Sequence, residues 1–429
     1  MFGFANFLLL ALFAAAVFDL IFALARGGGL RGALHGLWNT PHLLFGQQLA
    51  EWRLQLGRIL FAAGLAAYEI SVVFCNSMAR QNWAWVQGVM SPVLEWLAFL
   101  CFGAKILFGT RYTWRELLAG GALYFIARWV YFNSQNIWWI GIVVAALAAK
   151  DVPLRRPLQV YFASGCAAMA VVLALHFAGI VAPDLTSERM GALRGTYGYG
   201  HPNTFGGLVF GLVLAYALLR AQKVRWVDCL LVFAVGVFLL VGPASRSAAL
   251  CTLALAVGLV FCRLRAGHSV PRWWPGTCAG MVGLTAAVSY LLPLLVIKVG
   301  PWNNDIGPAW LAKLDSLLTC RISLTWMAYR LLDVKIAGQV FNWPTVDNSF
   351  AFALFQFGPV VAALLGILFA AALWGHAKQG RRVEVCCLFA MLAYAYMEVQ
   401  PFHLTTNPTA LLLCGAVFAQ TSARWQKIE

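Results

Sequence analysis

The feature that most constrains this chain is a succession of apolar runs, each near the length that crosses a bilayer. They begin near residues 4, 58, 89, 116, 137, 158, 205, 227, 247, 277, 348, 383 and 407, about thirteen once tilt and broken helices are allowed for. Inside hydrocarbon a segment must satisfy its own backbone hydrogen bonds, so runs of this kind fold as helices. The expected fold class is therefore an all-α polytopic membrane protein with about 12–13 transmembrane helices. Composition agrees: 62% of residues are hydrophobic and 11% charged, and the mean hydropathy is +0.76, which excludes an ordinary soluble domain. The first run, Phe4 to Ala25, lacks a basic leader and a small-residue cleavage site, so it reads as a retained span. Runs 137–149 and 407–420 are short, and no internal repeat, low-complexity tract or soluble domain is visible.

The formal charge of +15 raises the question of nucleic acid, but the basic residues stand in short clusters between apolar runs, which is a topology signal. One set of connections holds Arg26, Arg31, Arg53 and Arg58, then Lys105, Arg111 and Arg115, then Lys150, Arg155 and Arg156. It continues with Arg220, Lys223 and Arg225, with Arg263, Arg265 and Arg272, with Lys378, Arg381 and Arg382, and with the tail residues Arg424 and Lys427. The alternate short connections hold only Arg80, Arg189, Arg194 and Arg246. This bias predicts a cytoplasmic C-terminus in a cell membrane and places the Gly-rich stretch RGTYGYGHPNTFGG, Arg194 to Gly207, on the outer side. The eighteen tryptophans suit interfacial belts. Nearly all the cysteines fall inside apolar runs or at their edges and no CxxC occurs, which predicts small hydrophobes without disulfides and without a metal site.

One long connection, Lys298 to Thr345, is also expected on the outer side. It contains helical-looking pieces, Ala309–Leu318 and Ile322–Val334, and in the second Leu324, Met327 and Leu331 recur at helical spacing and would share a face. Short helices lying across the outer mouth are the expectation. Residues 1–57 read as an extra span with a cytoplasmic linker, 58–420 as the core with its outer loop 298–347, and 421–429 as a cytoplasmic tail.

Outward arginines run against the charge bias and ask for a reason. Arg194 precedes the Gly-rich stretch, Arg246 lies in VGPASRSAAL, and Arg321 lies in LLTCRISLTW. A guanidinium presents a planar fork of donors to phosphate, so their convergence would suit a lipid-linked pyrophosphate; ordinary contact with lipid headgroups is the plainer alternative. The glycines would let backbone N–H groups approach an oxyanion, with Pro202 and Asn203 starting a helix aimed at it. His201 reads as a general base, a phosphate donor or a structural residue. The outer carboxylates are Asp305, Asp315, Asp333 and Asp347 in the long loop and Glu398 before QPFHLTTNP. Asp347 opens one span and Glu398 closes another, positions where an acid is costly unless paired or functional. Either would accept a proton from a sugar hydroxyl or pair with an arginine, and Asp347 is also a candidate N-cap.

The order Arg…GYGHPNTFG, then SRS, then CRISLTW…VDNSFAFALFQFG, then MEVQPFHLTTN resembles the bacterial O-antigen polymerase/O-antigen ligase superfamily, most of all the polysaccharide polymerases of Gram-positive capsule and exopolysaccharide clusters. The earlier stretches GTRYTWRELL and AALAAKDVPLRRPLQ are similar to their N-terminal half. The resemblance covers roughly residues 58–420. It implies a GT-C-like, metal-independent, inverting glycosyltransferase that needs no cofactor and acts outside the membrane on undecaprenyl-diphosphate-linked oligosaccharide. Arg194 and Arg246, with Arg321 as a third, are then the implied pyrophosphate ligands. Asn203 and Asn348 join them on the substrate side, and Asp347, His201 and Glu398 are the catalytic candidates. The ligase branch carries His, then Asn, Ser or Gln, nine residues and Gly; here Asp347-Asn348 and Gly358 keep the spacing with Asp in place of His. That departure points to a polymerase, with membrane lipid, a flippase and a chain-length regulator as partners and no nucleic acid.

Two other readings remain beside it. A ligase would move finished glycan to another acceptor. A transporter or flippase of lipid-linked sugars should show related halves and charged groups near the midplane; no repeat is seen, although Glu69, Glu95 and Arg128 lie deeper in their runs.

Overall fold

The computed structural model describes residues 2–26, 29–45, 51–181, 187–189, 192–297 and 306–417. Lys298, Asp305, Arg424 and Lys427 lie outside the described residues. The structure is 75% helical, and among the described residues eight helices are long and apolar enough to cross a membrane, as in an all-α multi-pass membrane protein. Two shorter apolar helices, Ile137–Ala148 and Trp226–Val241, join them. The other expected spans differ for local reasons. The helix Trp114–Ser134 carries Arg115, Glu116 and Arg128, Arg382–Met397 has only 16 residues, and the last run is described only as the short helix Ala410–Val417.

The chain divides into two compact units, one formed within residues 1–129 and 140–183, the other by 130–139 and 184–416. The first holds α1 (Phe2–Ala25), α2 (Gly29–Asn39), α3 (Glu51–Cys75), α4 (Ala79–Asn82), α5 (Ser91–Phe108), most of α6 (Trp114–Ser134) and α7 (Ile137–Ala148), and α8 (Arg155–Phe177). Here α3 packs along α5 and α8. The N-terminal segment is fastened to this unit: strand β1 (His42–Leu43) pairs antiparallel with β2 (Arg111–Tyr112), His42 lies 3.3 Å from Asp19, and Arg128 Nε donates to Asn6 Oδ1 at 2.7 Å.

The polar stretch Gly109–Glu116 has a structural task in this unit. Lys105 is 1% exposed, and its ammonium donates to Thr110 Oγ1 at 2.7 Å and to the Lys150 carbonyl. Lys150 Nζ reaches the Arg111 carbonyl at 2.5 Å and Glu116 Oε1 at 3.3 Å. A buried ammonium is tolerable only when its donors are met, and these bonds clamp the turn after α5 to the turn after α7.

The second unit holds the hairpin β3 (Ser187–Arg189) and β4 (Ala192–Arg194), followed by α9 (Pro202–Leu219), α10 (Trp226–Val241), α11 (Arg246–Leu264), α12 (Trp274–Leu291), α13 (Ala309–Leu317), α14 (Arg321–Leu331), α15 (Ser349–Phe352), α16 (Pro359–Lys378), α17 (Arg382–Met397) and α18 (Ala410–Val417). Helix α11 packs on α10, α17 and α9, and α12 packs on α16. The short helices of the long connection form as expected, with Ile306, Leu311 and Ile322 in one small core with Val296. The buried face of α14 differs from the expected one. It runs through Arg321, Thr325 and Ala328, while Leu331 is exposed: Arg321 has polar partners beneath it, and the Thr325 hydroxyl is satisfied by the Arg321 carbonyl one turn back.

The run from residue 348 is one span in apolar pattern but two helices in structure. After α15 a π-helical turn, Ala353–Phe357, leads to Gly358 at φ 86°, and Pro359 starts α16. Gly358 is required twice over: its φ is left-handed, and a Cβ there would lie 2.1 Å from the Ile336 carbonyl oxygen. Gly206 on α9 is needed for a different reason, since a Cβ would sit 2.2 Å from Ser245 Oγ. The bare backbone lets α9 lie against the turn that opens α11. Gly206→Ala is therefore expected to destabilise the protein by about 1–3 kcal/mol through overpacking, whereas Gly280→Ala on α12, with nothing within 4 Å of the new carbon, is expected to be neutral or slightly stabilising. Thermal unfolding in detergent measures both.

Candidate functional site

The stretch Arg194–Gly207 is held by its aromatics. Tyr197 and Tyr199 pack on Phe205 of α9 with ring centroids 5.0 and 5.6 Å apart, and Tyr197 also meets Phe238 of α10 at 5.9 Å. Each such pair contributes about 0.5–1.5 kcal/mol beyond area burial, which offsets the conformational freedom lost by the neighbouring glycines. Pro202 occupies the first turn of α9, as its fixed φ favours, and His201 is the N-cap, its Nδ1 accepting from the Asn203 backbone N–H at 3.1 Å. Accepting at Nδ1 places the neutral ring's proton on Nε2. His201 is thus a cap with a donor at its outer nitrogen, and the ring is exposed.

Two residues beyond His201, at Asn203, the polar network begins. Arg194 is 6% exposed, and its Nη2 donates to Asn203 Oδ1 at 3.0 Å and to the Ala244 carbonyl at 3.3 Å. The amide nitrogen of Asn203 then donates to Glu398 Oε1 at 3.0 Å. The same oxygen accepts from Ser247 Oγ at 2.9 Å and from Arg321 Nη2 at 2.6 Å. Residues far apart in sequence, on α9, α11, α14 and the end of α17, therefore meet on one carboxylate oxygen. The first residues of α9, α11 and α14 all belong to this region, so three positive helix ends surround the acid.

Arg321 is held from every side. Its Nε donates to the Met397 carbonyl, Nη1 to the Leu318 carbonyl at 3.0 Å and to Thr319 Oγ1, and Nη2 to Glu398. Asp315 sets the helix that carries it: Oδ1 accepts from the Ile322 and Ser323 backbone N–H groups at 2.8 and 3.2 Å, and Oδ2 accepts from Ser323 Oγ at 2.8 Å. Cys320, at φ 66°, makes the turn before α14.

Asp347 lies 3.8 Å from the same Arg321 Nη2, with its side chain 30% exposed against 6% for Glu398. It does not cap α15. The cap is Asn348, whose Oδ1 accepts from the Phe350 and Ala351 N–H groups at 2.9 and 3.1 Å. The Asn348 amide donates to Ser289 Oγ and to the Tyr396 carbonyl, both at 3.1 Å, and the residue is 3% exposed, so its polar atoms are engaged within the protein. Ser349 Oγ donates to the Glu398 carbonyl at 2.5 Å, which ties the start of α15 to the end of α17.

The structure thus brings Arg194, Asn203, Arg321, Asp347 and Glu398 into one network, with Asn348 beside it as a cap. Arg246 stands apart in character, exposed at the first position of α11 next to Ser247. Ser247, Ser349 and Asp315 were not singled out by sequence as partners of these groups. Only the SRS spacing hinted at Ser247, and nothing local marks a serine that bonds an acid 151 residues away.

Burial pushes the Glu398 carboxyl up from its ordinary range, the Arg321 guanidinium pulls it down, Asp347 raises it again, and the bonds from Ser247 and Arg321 lower it; the net direction is upward. Desolvation therefore exceeds the attraction, as is common for buried pairs. Because the folded value is raised, the fold favours the protonated acid, so this group's contribution to stability is greatest below the unfolded value near 4.5 and is lost as pH rises through the folded one. Neither a family model, nor a curated protein, nor a solved structure matches this chain.

Breaking a buried pair is costlier than lacking it. Glu398→Ala strands the Arg321 charge and is expected to destabilise by about 3–5 kcal/mol, and Arg321→Met with Glu398→Leu by clearly less. Asp347→Ala, at a side chain 30% exposed and 3.8 Å from Arg321, is expected to change stability by about 0–1 kcal/mol. Denaturation in detergent with all three variants checks the order.

Proposed function

We propose that the protein is a membrane glycosyltransferase that polymerises lipid-linked oligosaccharide repeat units on the outer face of the cell membrane. The single observation that supports this best is the network on Glu398 Oε1, which joins Asn203, Ser247 and Arg321. Those residues come from the separate polar stretches through which the sequence resembles the O-antigen polymerase and ligase superfamily. The assignment of this end of the helices to the outer face rests on the distribution of Lys and Arg between the connections.

In this reading the donor is a glycan on undecaprenyl diphosphate and the acceptor a hydroxyl of a second lipid-linked unit. The acceptor oxygen attacks the anomeric carbon, the bond from that carbon to the phosphate oxygen breaks, and lipid diphosphate leaves. Asp347 takes the acceptor proton, being the exposed member of the two carboxylates beside Arg321. Glu398, buried and receiving three donors, holds Arg321 and Asn203 in place. Arg246 and the Nε2–H of His201, both exposed at neighbouring helix N-termini, meet the diphosphate, with the helix ends adding positive potential. Arg194 and Arg321 support that surface from beneath.

The rival of a different class is a transporter or flippase of lipid-linked sugars. One observation favours it: Glu69 on α3 is 1% exposed, and its Oε2 has no hydrogen-bond partner among the described residues. An acid so placed in a membrane segment asks for a function.

Purified protein given lipid-diphosphate oligosaccharide is expected to lengthen the glycan, and chelator is expected to leave the rate unchanged. Asp347→Asn should abolish elongation with donor binding retained, since the α15 cap belongs to Asn348. Arg246→Lys, keeping charge but losing the fork, should lower activity at least tenfold. Translocation of the unit across vesicles without elongation, abolished by Glu69→Gln, would decide for the transporter.

A further inference from the structure

At the end of α11 and α17 remote from Glu398, two thiols face each other. Cys262 Sγ lies 3.6 Å from Cys386 Sγ, and both are free cysteines. Two features of the packing bring them there. Gly258, one turn before Cys262, has no side chain where a Cβ would lie 3.0 Å from Cys386 Sγ and 3.2 Å from its Cβ, so α17 closes onto α11 at this point. Arg382, one turn before Cys386, donates to the carbonyls of Arg265, His268 and Ser269 in the turn that follows α11. The two helices are fixed to one another on both sides of the sulfur pair.

We propose that Cys262 and Cys386 are a reversible oxidation site, at which a small hydroperoxide forms a disulfide between α11 and α17. Cys386 is half-buried while Cys262 is 7% exposed, so the peroxide meets Cys386 first. The Cys386 sulfur takes one peroxide oxygen to become a sulfenic acid, the O–O bond breaks, and the other oxygen leaves as alcohol or water. The Cys262 sulfur then attacks the Cys386 sulfur, the S–S bond forms, and the sulfenic oxygen leaves as water with the remaining thiol proton. Each sulfur loses one electron and the peroxide gains two. Bonding needs the sulfurs about 2.0 Å apart, a closure of about 1.5 Å within reach of side-chain rotation. A dithiol reverses the reaction.

The other cysteines provide internal controls. Cys251 on α11 and Cys278 on α12 are both buried and lie at other places in the fold. The position of the pair matters as well, since α11 begins at Arg246 and Ser247 and α17 leads into Glu398. The disulfide would pin at one end the same helix pair that the Ser247–Glu398 bond joins at the other.

The test is mass spectrometry on the full-length protein in detergent, treated with hydrogen peroxide, alkylated after denaturation and digested. A peptide pair linked through Cys262 and Cys386 is expected, lost on treatment with dithiothreitol, while Cys251 and Cys278 alkylate fully. In Cys262→Ser the link should vanish and Cys386 should be trapped as sulfenic acid by a dimedone-type reagent. Gly258→Ala should lower the yield of the link several-fold without touching either sulfur. Full alkylation of both residues after peroxide, or pairing of Cys386 with Cys229 or with a second chain, overturns the proposal. None of these readouts depends on glycosyl transfer, so the outcome is separate from that of the proposed activity.

Discussion

A single carboxylate oxygen, Glu398 Oε1, organises the polar end of the second unit. It accepts from an amide on α9, a hydroxyl on α11 and a guanidinium on α14, while the backbone carbonyl of the same residue accepts from Ser349 beside α15. In surroundings this apolar, an ionised acid without such donors would be untenable. The requirement works in both directions. The acid needs its donors, and the donors, once buried, need the acid, so the helices that carry them meet at one register. Arg321 adds its own constraint, because each of its nitrogens has an acceptor supplied by α17 or by the turn before α14.

Hydrophobic pattern made most of the helices legible, since every apolar run from residue 4 to residue 397 is helical in the structure. Length and polarity then decide which of them also have the reach of a span. The start of α9 was readable from Pro202 and Asn203, because proline's fixed φ and missing N–H favour a helix's first turn. The break at Gly358 was not, as glycine and proline also occur inside unbroken membrane helices and only the approach of the Ile336 carbonyl makes this one obligatory.

The site was legible as a set of polar stretches and illegible as a set of bonds. Arg194 and Arg321 stood out because they run against the charge bias of the connections, and Asp347 and Glu398 because an acid at the end of a span is costly. Arg321 meets Glu398 across 77 residues of chain and Asn203 meets it across 195, and no local rule carries that. The exchange of roles between Asp347 and Asn348 illustrates the limit. Both residue types cap helices well, and the choice falls to Asn348 because its amide also finds Ser289 and the Tyr396 carbonyl.

Asn203 stands between opposite charges, its Oδ1 turned to Arg194 and its Nδ2 to Glu398. An amide is suited to this because it offers an acceptor and a donor from one planar group. The arrangement makes the network depend on the chemical identity of that one group. Hydrolysis of that amide to a carboxylate keeps the shape and the bond to Arg194, but it sets a second acid against Glu398 where a donor had been. Replacing one nitrogen by one oxygen thus turns the centre of the network from attraction to repulsion, and a protein of unchanged fold would lose the bridge between α9 and α17.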